Sequence, residues 1–326
     1  MNPRATAKHL GLGRLAYVFW HAPAGAVHRS ITAGGPIEQW RDRRAHTEMI
    51  AAASRLPPQN LPSAVFGPEI HFLTGARFWE QTAFCLRSLQ QHAGRALPVV
   101  FQDDGTTTDA IAAHLARLFP DARWRRREEI VATLDRHLPA ARFPVLRERW
   151  AAYPNIRKLT DVHLGSRGWK LVLDSDLLFF RRPTLLLDWL AAPSRPLHAV
   201  DSEENYGYSR RLMEQLASAP IPSFVNVGLC GLQSETLDWT QIEAWSAELI
   251  AREKTSYYLE QALVAMLLAG QECTIAPAAD YVTLPSERET LAPRAVMHHY
   301  VAGSKRWYFR HTWRRFLSDN AVAPRP

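Results

Sequence analysis

The chain predicts an α/β domain, a mixed and mainly parallel sheet flanked by helices, with a helical or irregular appendage before it. From Glu69 onward, short β-branched and aromatic runs alternate with longer amphipathic stretches, the pattern of a sheet built through crossover helices. Polar residues recur at the ends of those runs, where such sheets gather ligands. One run, Trp169-Lys-Leu-Val-Leu-Asp174-Ser-Asp176-Leu-Leu-Phe-Phe180, breaks an aliphatic stretch with two carboxylates. Its 326 residues, 47% of them hydrophobic, suffice for one large domain with an added segment.

Residues 1–65 read as the appendage and 66–326 as the main domain. Within the appendage, Leu15-Ala-Tyr-Val-Phe-Trp20 after Arg14, followed by Ala22-Pro-Ala-Gly-Ala26, has the outward form of a secretion signal. Its apolar core stops at His21, shorter than an exported leader needs and far too short to span a bilayer. The expectation is a cytoplasmic protein, with this basic and aromatic segment a candidate for peripheral contact with the inner membrane face. Gly34-Gly35-Pro36 then precedes a charged helix over 38–53, and Pro57, Pro58 and Pro62 mark a stop.

In the main domain, Ile70–Leu73 predicts a short strand. The helix over 78–92 follows, with Phe78, Thr82, Cys85, Leu86 and Leu89 on one face. Leu97–Phe101 is the second strand, ending in Asp103-Asp104-Gly105, and the next helix groups Ile111, Leu115, Leu118 and Phe119. Residues 123–168 read as helical and irregular, rich in arginine. Lys170–Leu173 is the strand that delivers the two aspartates. Further strands are expected at 198–200, 224–232, 273–276 and 295–297. The glycines of Phe224-Val-Asn226-Val-Gly228-Leu-Cys-Gly231-Leu suggest a bulge or a close backbone approach. Trp239, Ile242, Trp245 and Leu249 define an amphipathic helix, and the nearly wholly apolar 259–269 a buried one against the sheet.

The net charge of +7 favours anionic partners, whether nucleic acid, acidic lipid or phosphorylated small molecules. Cys85, Cys230 and Cys273 lie far apart, without zinc spacing, and read as buried reduced thiols. Asp103, Asp174, Asp176, Asn226 and the His298/His299 pair fall at or just after the carboxyl end of a predicted strand. Asp174 and Asp176, two residues apart in extended chain, point to one side and suit a hard divalent cation such as Mn²⁺ or Mg²⁺. A histidine leaving a strand is able to complete such a site. Lys305, six residues after His299 and past Gly303, is placed to reach an anionic oxygen.

Leu-Val-Leu-Asp174-Ser-Asp176, Phe-Val-Asn226-Val-Gly228-Leu, Glu260-Gln261 and His299-Tyr-Val-Ala-Gly-Ser-Lys305-Arg-Trp307 occur in that order. Together they resemble the GT-A-fold nucleotide-sugar glycosyltransferases, in particular the family 8 and glycogenin-like branch. The resemblance implies a GT-A fold over about residues 69–310 and a metal-dependent hexosyltransferase. Its donor would be a nucleoside-diphosphate sugar, UDP-linked, and its acceptor a glycan, lipid or protein, with transfer retaining the anomeric configuration. It makes Asp174, Asp176 and His299 the ligands of Mn²⁺ or Mg²⁺, with His299 preferred to His298 by the spacing to Lys305. Lys305 would hold the diphosphate. Asn226, Glu260 and Gln261 would line the catalytic, sugar and acceptor side, and Thr74 and Gly75 would lie near the nucleotide. Glu260, Arg306 and the position of Gly303 depart from the family's pattern.

Three other readings compete. A haloacid-dehalogenase-type phosphatase also places Asp-x-Asp after an apolar strand, but in its first strand, and here strands precede it. Arg123-Trp-Arg-Arg-Arg127 has the basic and aromatic character of a nucleic-acid contact, although Glu128-Glu129 follow at once. A catalytically inactive scaffold would keep the fold without the chemistry.

Overall fold

A computed structural model describes residues 35–63 and 67–322; the secretion-like segment falls outside the described residues. The first helix, α1 (Gly35–Ser54), buries Met49 and Ala53 in the same core as the sheet. Its acidic residues meet the end of the chain, where Arg310 pairs with Glu38 at 2.7 Å and with Asp42 at 2.5 Å.

Then follow β1 (Glu69–Thr74), α2 (Trp79–Ala93), β2 (Val99–Asp103), α3 (Asp109–Leu118) and β3 (Arg123–Arg125). Helix α2 ends at Gly94, whose φ of 71° turns the chain while its N–H bonds to Gln90 and Gln91 carbonyls. Strand β3 corrects the expectation of helix or irregular chain at 123: Arg-Trp-Arg alternates, and Trp124 packs on Phe101 with ring centroids 5.1 Å apart. A three-residue strand carries too short a period to be told from loop by pattern alone.

Next come α4 (Arg127–His137), α5 (Pro144–Ala152), α6 (Arg157–His163), β4 (Trp169–Leu173) and β5 (Leu177–Phe179). They lead to α7 (Thr184–Ala191), β6 (Leu197–Val200), α8 (Arg210–Ala217) and β7 (Val225–Gln233). The last part holds α9 (Trp239–Glu253), α10 (Leu259–Leu267), β8 (Thr274–Ala276), β9 (Tyr281–Thr283), α11 (Glu287–Leu291) and β10 (Met297–His299). A short helix at Lys305–Trp307 and a π-helical turn at Tyr308–Thr312 run on into α12 (Trp313–Val322).

The main sheet has seven strands in the order β3-β2-β1-β4-β7-β6-β8. Only β7 runs against its neighbours, pairing antiparallel with both β4 and β6. Three strands, β5-β10-β9, form a second sheet. One core gathers Ile70, Phe72, Phe101 and Leu171 with α1, α2 and α12, and the other gathers Val225, Cys230 and Leu232 with α9 and α10, which is buried from Leu259 to Met266. This alternation gives the mixed, mainly parallel, helix-flanked sheet that the sequence predicts. Cys85 and Cys230 are buried free thiols, whereas Cys273 is half-buried at the start of edge strand β8.

Two features position the site. Asp174-Ser175-Asp176 is the junction where the chain leaves β4 of the large sheet and enters β5 of the small one. Asn226, second residue of β7, is at the amino end of its strand rather than the carboxyl end expected from sequence. Because β7 runs backwards, that end meets the same rim as the carboxyl ends of β1, β2 and β4.

Candidate metal and anion site

Strand pairing brings the cluster together. In the antiparallel β5–β10 pair, His299 stands opposite Leu177, and the next rung is a hydrogen bond from Tyr300 N–H to the Asp176 carbonyl at 2.9 Å. The His299 ring consequently reaches both aspartates, its Nε2 lying 3.3 Å from Asp176 Oδ1 and 3.6 Å from Asp174 Oδ2. The backbone of Asp174 is fixed by its own N–H donating to the Gly228 carbonyl at 2.8 Å. Gly228 has to be glycine, since a Cβ there would stand 2.2 Å from His299 Cε1. This is the close backbone approach expected of that strand.

His299 Nδ1 faces Asn226 Oδ1 at 3.2 Å, and the same oxygen accepts from Gly228 N–H at 2.9 Å. The amide oxygen thereby holds the Nδ1–H tautomer and turns Nε2 toward the aspartates. Two cations flank the acids. Lys158, on α6, places Nζ 3.0 Å from Asp174 Oδ1 and 3.5 Å from Glu260 Oε2. Lys305 places Nζ 3.0 Å from Asp176 Oδ2, over the Phe78 ring.

The electrostatics follow from this crowding in a buried place. Burial acts to lower the His299 imidazole, but hydrogen bonding and charge from Asp174 and Asp176 raise it to about 9. Burial acts to raise both aspartates, and Lys158 with His299 brings Asp174 below its ordinary value, while His299 and Lys305 do so for Asp176. Glu260 goes the other way: burial first, with the Asp174 charge, pushes it up to about 7 against the pull of Lys158. Lys158 itself is disfavoured by burial yet raised by Asp174 and Glu260.

Asp174, Asp176 and His299 offer ligand atoms all within 4.8 Å of one another. Two of those atoms, Asp176 Oδ1 and His299 Nε2, are buried, face each other at 3.3 Å and have no other partner. Two carboxylates and a neutral imidazole are a donor set suited to Mn²⁺ or Mg²⁺, so the residues present fit a divalent cation.

The structure sorts the other sequence candidates. His298 turns away, bonding Tyr300 Oη at 2.9 Å and Glu289 at 3.2 Å. Gln261 Nε2 donates to Asp201 Oδ2 at 3.0 Å and to the Val225 carbonyl at 2.9 Å, next to Asn226 in the chain. Thr74 is fully buried, its hydroxyl joined through Thr82 to Ser175 between the aspartates, each contact 2.8 Å. Gly75 lies against Asp104, where a Cβ would be 1.9 Å from Oδ1. Asp103 accepts from Gly105 and Thr107 N–H within its own turn and contacts no member of the cluster among the described hydrogen bonds. Lys158 went unnoticed in the sequence, because it stands on a polar seven-residue helix with no motif around it.

No protein-family model matches the chain, and no curated protein is similar to it in sequence. Solved structures do resemble it. The apo structure of the bifunctional glycosyltransferase WbbM aligns over 82% of this chain and 51% of that one, at 13% identity and a TM-score of 0.52. Mouse xyloside xylosyltransferase 1, apo form, covers 72% of this chain and 97% of its own at 14% identity and TM-score 0.49. The galactosyltransferase LgtC with donor and acceptor sugar analogues covers 79% and 97% at 16% identity and TM-score 0.48. The first of these likenesses, with the strand order above, gives the chain a GT-A fold.

Proposed function

We propose that the protein transfers a glycosyl group from a nucleoside-diphosphate sugar to a glycan, lipid or protein acceptor, with retention, and that the donor is UDP-linked. The observation that carries this reading is the Asp174–Asp176–His299 cluster at the sheet rim, its ligand atoms gathered within 4.8 Å, with Lys305 beside it. Asp174, Asp176 and His299 would hold Mn²⁺ or Mg²⁺. When bound, such a cation supplies positive charge against the negative charge that grows on a departing diphosphate. Lys305, pointing into the same rim, would bind that diphosphate. Asn226 orients His299 and, with Gln261, would line the sugar and acceptor side. Glu260, near half-protonation at neutral pH, is the group there able to hold or release a proton. The loop at Thr74 and Gly75 would face the nucleotide through its backbone.

The test is a thermal-shift panel of nucleoside-diphosphate sugars with and without Mn²⁺, followed by a nucleoside-diphosphate release assay. Binding to the native state raises the melting temperature by mass action, so the donor should stabilise the protein only with the metal. Asp176→Asn should abolish metal-dependent release while the far-ultraviolet circular dichroism stays unchanged. Stabilisation by no nucleotide, or full release by Asp176→Asn, would remove the proposal. The anomeric configuration of the product, read by proton NMR, tests retention.

A further inference from the structure

The arginine-rich 123–127 segment does not serve the metal site, and its Trp124 is turned into the core. Alternation along β1, β2 and β3 explains where the rest goes. Ile70, Phe72, Val99, Phe101 and Trp124 face the first core, so Glu69, His71, Gln102, Arg123 and Arg125 are forced onto the opposite face. At this sheet edge that face is covered by α4 and the α6–β4 turn, which border a cavity of ≈ 230 Å³ lined by those five residues and by Arg136.

The walls are polar and predominantly cationic. Glu69 is the one acidic residue lining the cavity, and it is already paired with Arg123 at 3.0 Å and Lys170 at 2.7 Å. Arg125 is anchored by the Asp161 carbonyl and by Thr133 Oγ1. Arg136 and His137 approach from α4. Arginine forks are suited to phosphate oxygens.

A second observation points to a ligand. His71 is only 2% exposed, and its Nδ1 faces the Gln102 amide nitrogen at 3.0 Å. With that amide donating, the ring proton sits on Nε2, which has no hydrogen-bond partner and lies 3.6 Å from the nearest Glu69 oxygen. Gln102 Oε1 is likewise buried and unpaired. One donor, 3.6 Å from a carboxylate already paired with Arg123 and Lys170, and one acceptor thus stand without a hydrogen bond, a costly arrangement unless something bonds them.

We propose that this cavity binds a phosphate-bearing small molecule at a site separate from the metal cluster, with which it shares no residue. Arg136 and Arg123 meet the phosphate oxygens, the His71 Nε2–H donates to one of them, and Gln102 Oε1 accepts from a hydroxyl of the same ligand. The proposal is independent of the glycosyl-transfer reading.

Isothermal titration calorimetry of the full chain tests it, with inorganic phosphate in EDTA and sodium chloride as the ionic-strength control. A parallel titration with a hexose phosphate distinguishes free phosphate from a phosphorylated sugar. Arg136 is exposed, so Arg136→Ala and Arg136→Glu leave the core intact. Wild type should bind one equivalent of at least one probe. Arg136→Ala should weaken it about tenfold or more, the loss expected of one charge-assisted contact, and Arg136→Glu should abolish it. Asp176→Asn should bind as wild type does. Absence of saturable binding by either probe, undiminished affinity in Arg136→Glu, or loss in Asp176→Asn would each overturn the proposal.

Discussion

Replacing Gly228 by alanine tests how the candidate metal site is built. The added methyl would stand 2.2 Å from His299 Cε1, 2.7 Å from Nδ1 and 2.8 Å from Nε2. The strand is not free to retreat, because the Gly228 carbonyl accepts from Asp174 N–H and its N–H is held by Asn226. The ring has to move instead, away from both aspartates. Overpacking of this kind costs about 1–3 kcal/mol, which lowers the melting temperature of a chain this size by roughly 1–5 °C. Displacing an orienting contact of a metal ligand typically weakens metal binding by about 10–100-fold. Calorimetric titration of Mn²⁺ in the presence of nucleoside diphosphate reads the second effect and thermal denaturation the first. A double-mutant cycle isolates the cause. With His299→Ala in place the methyl has open space, so Gly228→Ala should cost little there, and the coupling energy should recover most of the single-mutant loss. Equal destabilisation in both backgrounds, or wild-type Mn²⁺ affinity in Gly228→Ala, would refute the reasoning.

Other outcomes follow from the buried charges. Lys158→Met leaves Asp174 and Glu260 facing each other without their shared cation and should destabilise by about 3–5 kcal/mol, the usual cost of breaking a buried pair. Adding Glu260→Gln should restore part of that in thermal denaturation at pH 7, and no recovery would count against the pairing. His163, buried beside Ser234 Oγ at 3.0 Å, is lowered by burial to about 3. Its unfolded value is about 6.5, so the unfolded chain takes up a proton that the folded one refuses. Stability present above pH 6.5 should therefore fall as pH drops, by about 2 kcal/mol from this group at pH 5. His163→Asn should flatten urea-derived stability against pH between 6.5 and 4.5, and an unchanged slope would contradict it.

Much of the fold was legible because long periods and motif order survive in one sequence. The helices at 79–93 and 239–253 and the strands around Ile70, Leu171 and Val227 lie where hydrophobic spacing put them. The resemblance implied His299 rather than His298, and it is the His299 ring that lies beside Asp174 and Asp176. Strand β3, β5 and β9 have three residues each, below the length at which alternation has meaning. The reversal of β7 was equally invisible, because direction is settled by pairing rather than by pattern. Lys158 was missed for a related reason: its partners stand 16 and 102 positions away, and only the folded chain brings them together.

The two lysines beside the acids bear on how ligands enter. Asp174, Asp176 and Glu260 face Lys158, Lys305 and an imidazole that favours its proton at neutral pH. The cluster is thus close to electrically balanced on its own. A lone dication has to enter against two ammonium groups and displace a proton, whereas one accompanied by a diphosphate brings compensating negative charge and gives Lys305 a new anion to bind. Cation and nucleotide should therefore bind synergistically, each raising the affinity for the other by the same factor.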